Sequence, residues 1–81
     1  MQFYSYVIFA PESGELFYGY YEDLEKVLEM HNANQIPLTS GRGPWLLVFS
    51  EPWSTRMQAI RQSRFYRTVK GQRFLKNMLH F

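Results

Sequence analysis

Cysteine is missing from the 81-residue chain, which excludes a disulfide framework and any thiolate-based zinc site. Histidine is nearly missing: His31 and His80 are too few and too far apart in sequence to suggest a metal cluster. Long apolar runs are missing as well. The longest, Val7-Ile8-Phe9-Ala10 and Trp45-Leu46-Leu47-Val48-Phe49, fall far short of a bilayer span, so no membrane partner is expected. No basic segment precedes an apolar run at Met1-Gln2-Phe3-Tyr4, so no signal peptide is expected and the cytoplasm is the expected address.

What the chain has in excess is aromatic surface. Seven Phe, six Tyr and two Trp make up 19% of it, within 46% hydrophobic residues. Each ring buries a large apolar area, so these side chains can supply much of one small core. A single domain over residues 1–81 follows. The net charge is only +2, but it is segregated. Glu12, Glu15, Glu22, Asp23, Glu25 and Glu29 face one cation, Lys26, in the first 33 residues, a balance of −5. Arg42, Arg56, Arg61, Arg64, Arg67, Lys70, Arg73 and Lys76 face one acid, Glu51, in the remainder, a balance of +7. A basic surface of that kind attracts polyanions; the plainer reading is a solvated helical face.

The periodicity predicts six elements. Residues 3–9 are β-branched and aromatic, Pro11-Glu12-Ser13-Gly14 has turn chemistry, and residues 15–20 read as a second strand, together a hairpin. Leu24, Val27, Leu28 and His31 recur at helical spacing over 22–32, with acidic residues in the first turn. A loop with Pro37, Gly41, Gly43 and Pro44 follows. Trp45 to Glu51 reads as a mostly apolar third strand, expected to be central or well covered. Ser54 is placed as the N-cap of a helix through about residue 67, with Met57, Ala59, Ile60 and Phe65 inward. Gly71 reads as an interruption before a short last helix over 72–79. The expected fold is α+β, a small, three-stranded, mainly antiparallel sheet flanked by helices in the order β-β-α-β-α-α.

Several segments, in order and at matching spacing, resemble the GIY-YIG nuclease superfamily. Tyr4-Ser5-Tyr6 and Phe17-Tyr18-Gly19 stand where its two tripeptides stand. Asp23-Leu24-Glu25-Lys26, Leu28 and His31-Asn32 follow its first helix, and Gly41 to Val48 resembles its G-R-x-P-W-x-L-V segment. Ser54-Thr55-Arg56 with Ala59-Ile60-Arg61 resembles the helix after that. Run nearly end to end, the chain is similar to small stand-alone bacterial members related to the GIY-YIG nuclease domain of the excision-repair excinuclease. The resemblance implies one-metal phosphodiester hydrolysis. Tyrosines of the two tripeptides handle the water, a helix arginine meets phosphate charge, and a glutamate on the second helix holds a divalent cation such as Mg²⁺, chemistry that needs cations and oxygen ligands.

Carried over position by position, the second tripeptide's tyrosine is Phe17, the arginine is Val27 and the metal glutamate is Ser63. Tyr6 and His31 remain as catalytic remnants. Loss of one such electrostatic group commonly costs on the order of 10²–10³ in rate, so loss of three implies a degenerate member with no metal site and no cofactor unless activity survives. The leading expectation is a nucleic-acid-binding domain, with DNA as partner, contacting phosphates through Arg42, Arg61, Arg64, Arg67, Lys70, Arg73 and Lys76. Two other readings stay open. One is an active divergent endonuclease using Tyr6, His31 and a relocated hydroxyl or carboxylate, Tyr18 or Glu51. The other is a protein-interaction module that forms a homo-oligomer through exposed aromatics. Taken singly, Tyr6 and His31 are more often packing residues than catalysts.

Overall fold

In the computed structural model, which describes residues 2–79, three strands and three helices follow the order β-β-α-β-α-α. The readings on Met1 and His80 lie outside these residues. Strands β1 (Phe3–Ala10) and β2 (Glu15–Tyr21) form the hairpin, closed where the Gly14 amide donates to the Ala10 carbonyl at 2.8 Å. Helix α1 (Leu24–Asn32) starts where the Asp23 carboxylate accepts from the Lys26 amide at 3.1 Å, satisfying one of the free donors at a helix start.

Strand β3 (Leu46–Trp53) pairs antiparallel with β1, giving the sheet order β2-β1-β3. The apolar run therefore forms an edge strand and not a central one, and Leu46 is 54% exposed. The run also carries a register shift: Val7 pairs with Phe49 and Ile8 with Leu47, which leaves Val48 unopposed. Val48 and Phe49, neighbours in sequence, consequently pack on one and the same cluster.

Helix α2 (Arg56–Phe65) is capped by Thr55 and not by Ser54. A reciprocal cap needs a Glu or Gln three residues after the cap residue. Gln58 meets that requirement for Thr55, whereas Met57 would hold the position for Ser54. Met57 accordingly points outward, 55% exposed, while Ala59 is fully buried. The helix stops at Phe65. Gly71 does not interrupt; it sits buried inside α3 (Val69–Leu79). The turn lies at residues 66–68, where the Thr68 hydroxyl donates to the Phe65 carbonyl and accepts from the Gly71 amide, the bond of an N-cap.

The core has two parts on opposite sides of the sheet. Tyr6, Ile8 and Ala10 of β1 pack with Val27 and Trp45, under α1 and the loop that follows it. Val7 packs with Tyr66 and Leu75 under the end of α2 and under α3. Alternation along a central strand is what feeds both faces. No helix among the described residues is long and apolar enough to cross a membrane.

Candidate functional site

Tyr6 and Gly19 face each other across the β1–β2 ladder. A Cβ on Gly19 would lie 2.5 Å from the Tyr6 hydroxyl, so the second tripeptide ends in glycine because the tyrosine ring lies over it. The Tyr6 hydroxyl reaches His31 Nε2 at 2.8 Å, and His31 Nδ1 reaches the Thr39 hydroxyl at 2.6 Å. Thr39 in turn donates to the Ile36 carbonyl at 3.4 Å. One proton arrangement satisfies all of these groups: Tyr6 donates to Nε2, Nδ1–H donates to Thr39, and Thr39 donates to the carbonyl. His31 is fully buried, and burial holds its imidazole below the ordinary value of 6.5, hence neutral. Burial, with a smaller contribution from Tyr21, pushes the Tyr6 phenol well above its ordinary value.

Next to this relay, Asn32 acts as a backbone mimic. Its amide accepts from the Trp45 N–H at 2.7 Å and donates to the Trp45 carbonyl at 3.2 Å. The adjacent pair His31-Asn32 thus ties the middle of the loop between α1 and β3, at Thr39, and its far end, at Trp45, to the helix. Thr39 and this clamp were not legible as partners in the sequence, since nothing local marks them.

Tyr6, Phe17, Gly19, Ile60 and Ser63 line one open groove of ≈ 350 Å³, rimmed by Arg64 and Arg67. The Phe17 and His31 rings meet edge-to-face, centroids 5.2 Å apart, and Phe17 brings no hydroxyl to the groove. Val27 is buried beneath, in the same cluster as Tyr6. The Ser63 hydroxyl is taken up by the Ile60 carbonyl of its own helix at 2.7 Å. A hard divalent cation needs oxygen ligands, most of them carboxylate. No acid lines this groove, and no group of three or more His, Asp or Glu among the described residues is placed to hold a metal. The residues present do not fit the cation.

Of the two relocations considered from sequence, Glu51 falls on the other face of the sheet, and Tyr18 borders the groove but packs its ring against Tyr66 on that other face. Tyr18 pairs with Val7, its ring lies 6.1 Å from that of Tyr66, and its hydroxyl accepts from Gln72 at 2.9 Å. Glu51 pairs with Ser5 and accepts from Tyr66 at 2.6 Å and from Gln62 at 2.9 Å. The Tyr66 hydroxyl also meets Ser5, to which the Trp53 indole donates at 2.9 Å. Burial, then the bond to Glu51, raises the Tyr66 phenol. This network satisfies the polar atoms between β1, β3 and α2, and neither Tyr18 nor Glu51 turns toward Tyr6 and His31.

The cations divide. Arg61, Arg64, Arg67, Lys70, Arg73 and Lys76 are exposed along α2, the turn after it and α3, and have no carboxylate within ion-pair distance among the described residues. Arg67 leans back to the Tyr18 carbonyl at 3.3 Å. Arg42 is apart from this group: it sits in the loop before β3 and pairs with Glu15 at 3.6 Å. Arg56 has a role its residue type did not announce. Its guanidinium lies over the Tyr20 ring, 5.8 Å from the centroid, at the edge of a second cleft.

The fold and its buried Tyr–His–Thr relay define a small α+β domain in which a hairpin, a helix and a third strand are completed by two C-terminal helices. Over 74 residues the chain is 32% identical to the UPF0213 protein SSP2268 of Staphylococcus saprophyticus, covering 90% of this chain and 89% of that one. The chain therefore belongs to the UPF0213 family. It also shares its fold with the UPF0213 protein BH0048 of Bacillus halodurans, whose solution structure superposes with a TM-score of 0.56 at 22% identity, over 96% of this chain and 85% of that chain. No family model matches the sequence.

Proposed function

We propose that this protein is a GIY-YIG-like domain, akin to the nuclease domain of the excision-repair excinuclease, that binds DNA and does not cleave it. The observation that carries the reading is the groove itself. Its rim holds Arg64 and Arg67 without carboxylate partners among the described residues, while its floor offers Phe17 and a self-bonded Ser63 in place of a water-activating hydroxyl and a metal carboxylate. Phosphate binding survives such changes because it needs only cations, whereas hydrolysis also needs charge stabilisation and an activated water. Charge segregation and the resemblance in segment order support the same reading. Phosphate contacts of this kind position a nucleic acid without reading its sequence.

Fluorescence anisotropy of labelled DNA over a salt series tests it. Affinity should fall steeply with salt, and the double reversal Arg64→Glu/Arg67→Glu should weaken binding and flatten the salt slope by about 2, one per lost phosphate contact. Unchanged affinity in that variant would sink the assignment. Metal-dependent nicking of DNA by the unaltered protein would refute the non-hydrolytic half of the proposal.

A further inference from the structure

Tyr20 is the shared wall of two depressions. On one side is the groove with Arg64 and Arg67; on the other is a cleft of ≈ 200 Å³ between Phe3, Tyr21, Glu22 and Arg56. The cleft pairs aromatic walls with a planar cation, and Tyr20 itself remains 37% exposed. With the Arg56 guanidinium 5.8 Å from the Tyr20 centroid and both lining the cleft, a flat group entering it meets a ring and a planar cation together. The Glu22 carboxylate at the rim disfavours a phosphate inside the cleft and accepts from the N–H edge of a base.

We infer that this cleft takes one unpaired base of single-stranded DNA, stacked on the Tyr20–Arg56 pair, while Arg64 and Arg67 hold the neighbouring phosphates. The inference deepens the DNA-binding reading and rests on it. In a duplex both faces of every base are occupied by its neighbours, so a stacking site selects strands whose bases are free. Every base has a π-face, so the site tolerates any sequence.

The test compares a short labelled single strand with the duplex of the same sequence, using anisotropy, together with the fluorescence of a 2-aminopurine placed in the single strand. The single strand should bind tighter than the duplex, and the 2-aminopurine signal should be quenched on binding. Tyr20→Thr removes the ring and puts a strand-favouring β-branched residue at an exposed strand position, and Arg56→Lys keeps the charge but removes the plane. Each should weaken single-strand binding on the order of tenfold, and Arg56→Lys, which lies outside the phosphate groove, should leave duplex binding unchanged, with circular dichroism confirming the fold. Wild-type affinity in Arg56→Lys and Tyr20→Thr, or equal affinity for duplex and single strand, overturns the base cleft. If Arg64→Glu/Arg67→Glu still weakens binding in that case, the phosphate reading stands alone. No DNA binding even at low salt overturns both.

Discussion

Replacing Gly71 by alanine sets two effects of opposite sign against each other. Inside a helix, Gly→Ala ordinarily stabilises by about 1 kcal/mol, because glycine carries the larger entropy loss on folding. At Gly71 a Cβ would run into the Phe65 carbonyl oxygen and stand 2.6 Å from its carbon. Both atoms are backbone, at the last turn of α2, so no rotamer change relieves the contact; α3 must move away from α2. That movement opens the packing of Leu75, Tyr66 and Val7. Overpacking by a methyl group typically costs about 1–3 kcal/mol when side chains can yield. With backbone on both sides the upper end applies, leaving a net loss of roughly 2 kcal/mol after the propensity gain. For a domain of this size that is a fall in Tm of about 8–16 °C. Thermal and urea unfolding followed by circular dichroism measure it. A Gly71→Ala protein as stable as the parent, or more so, would refute the close packing of α3 against the end of α2 and restore Gly71 to a simple helix interruption.

Two further outcomes follow from the buried polar groups. Because His31 is held neutral in the folded chain and titrates normally when unfolded, the unfolded state takes up a proton first as pH falls below about 6.5. Stability is therefore fully present above that pH and is lost on acidification, and the loss between about pH 7.5 and pH 5 should be smaller in His31→Gln; equal losses would count against the buried imidazole. Asn32→Ala removes both bonds to the Trp45 backbone and should cost about 1–3 kcal/mol in denaturant unfolding, with an unchanged midpoint counting against the clamp.

The order of elements was legible because each carries its own period. The hairpin joins two β-branched and aromatic runs across the turn from Pro11 to Gly14, α1 repeats Leu24, Val27, Leu28 and His31 at helical spacing, and both signals are local. The errors lie where a distant contact decides. Trp45 to Phe49 reads as a buried run, yet the bulge at Val48 lets consecutive residues share a face, which a period-two reading forbids. Gly71 reads as a breaker, yet its role is set by the Phe65 carbonyl on another helix. Cap choice between Ser54 and Thr55 was decided by Gln58, a signal present in the sequence and visible only when the reciprocal pattern is sought. At the candidate site, segment order brought Tyr6, Phe17, Gly19 and Ser63 to attention, and all four line one groove. Arg56 escaped because cation–ring stacking depends on the crossing of β2 and α2, not on spacing.

The same relay that resembles catalytic apparatus has a sufficient structural reason to persist. Tyr6, His31 and Thr39 are all buried, and each satisfies the next. Thr39 also receives the Trp45 indole N–H at its carbonyl, 3.4 Å away, so the relay fastens the loop between α1 and β3 from the inside. Removing one member strands another in a dry site, which costs about 1–3 kcal/mol whether or not any reaction takes place. Tyr6→Phe isolates this effect. The ring stays over Gly19, a single oxygen's volume is removed, and the bond to His31 Nε2 is lost. The expected outcome is a fall in Tm of roughly 4–24 °C with DNA affinity within about twofold of the parent, since the phosphate-holding arginines and the Tyr20–Arg56 pair are untouched. Differential scanning calorimetry and anisotropy on one preparation give both numbers. An unchanged Tm together with weakened binding would assign the Tyr6 hydroxyl to the ligand and not to the fold, and would reopen the question of what the groove does to a bound strand.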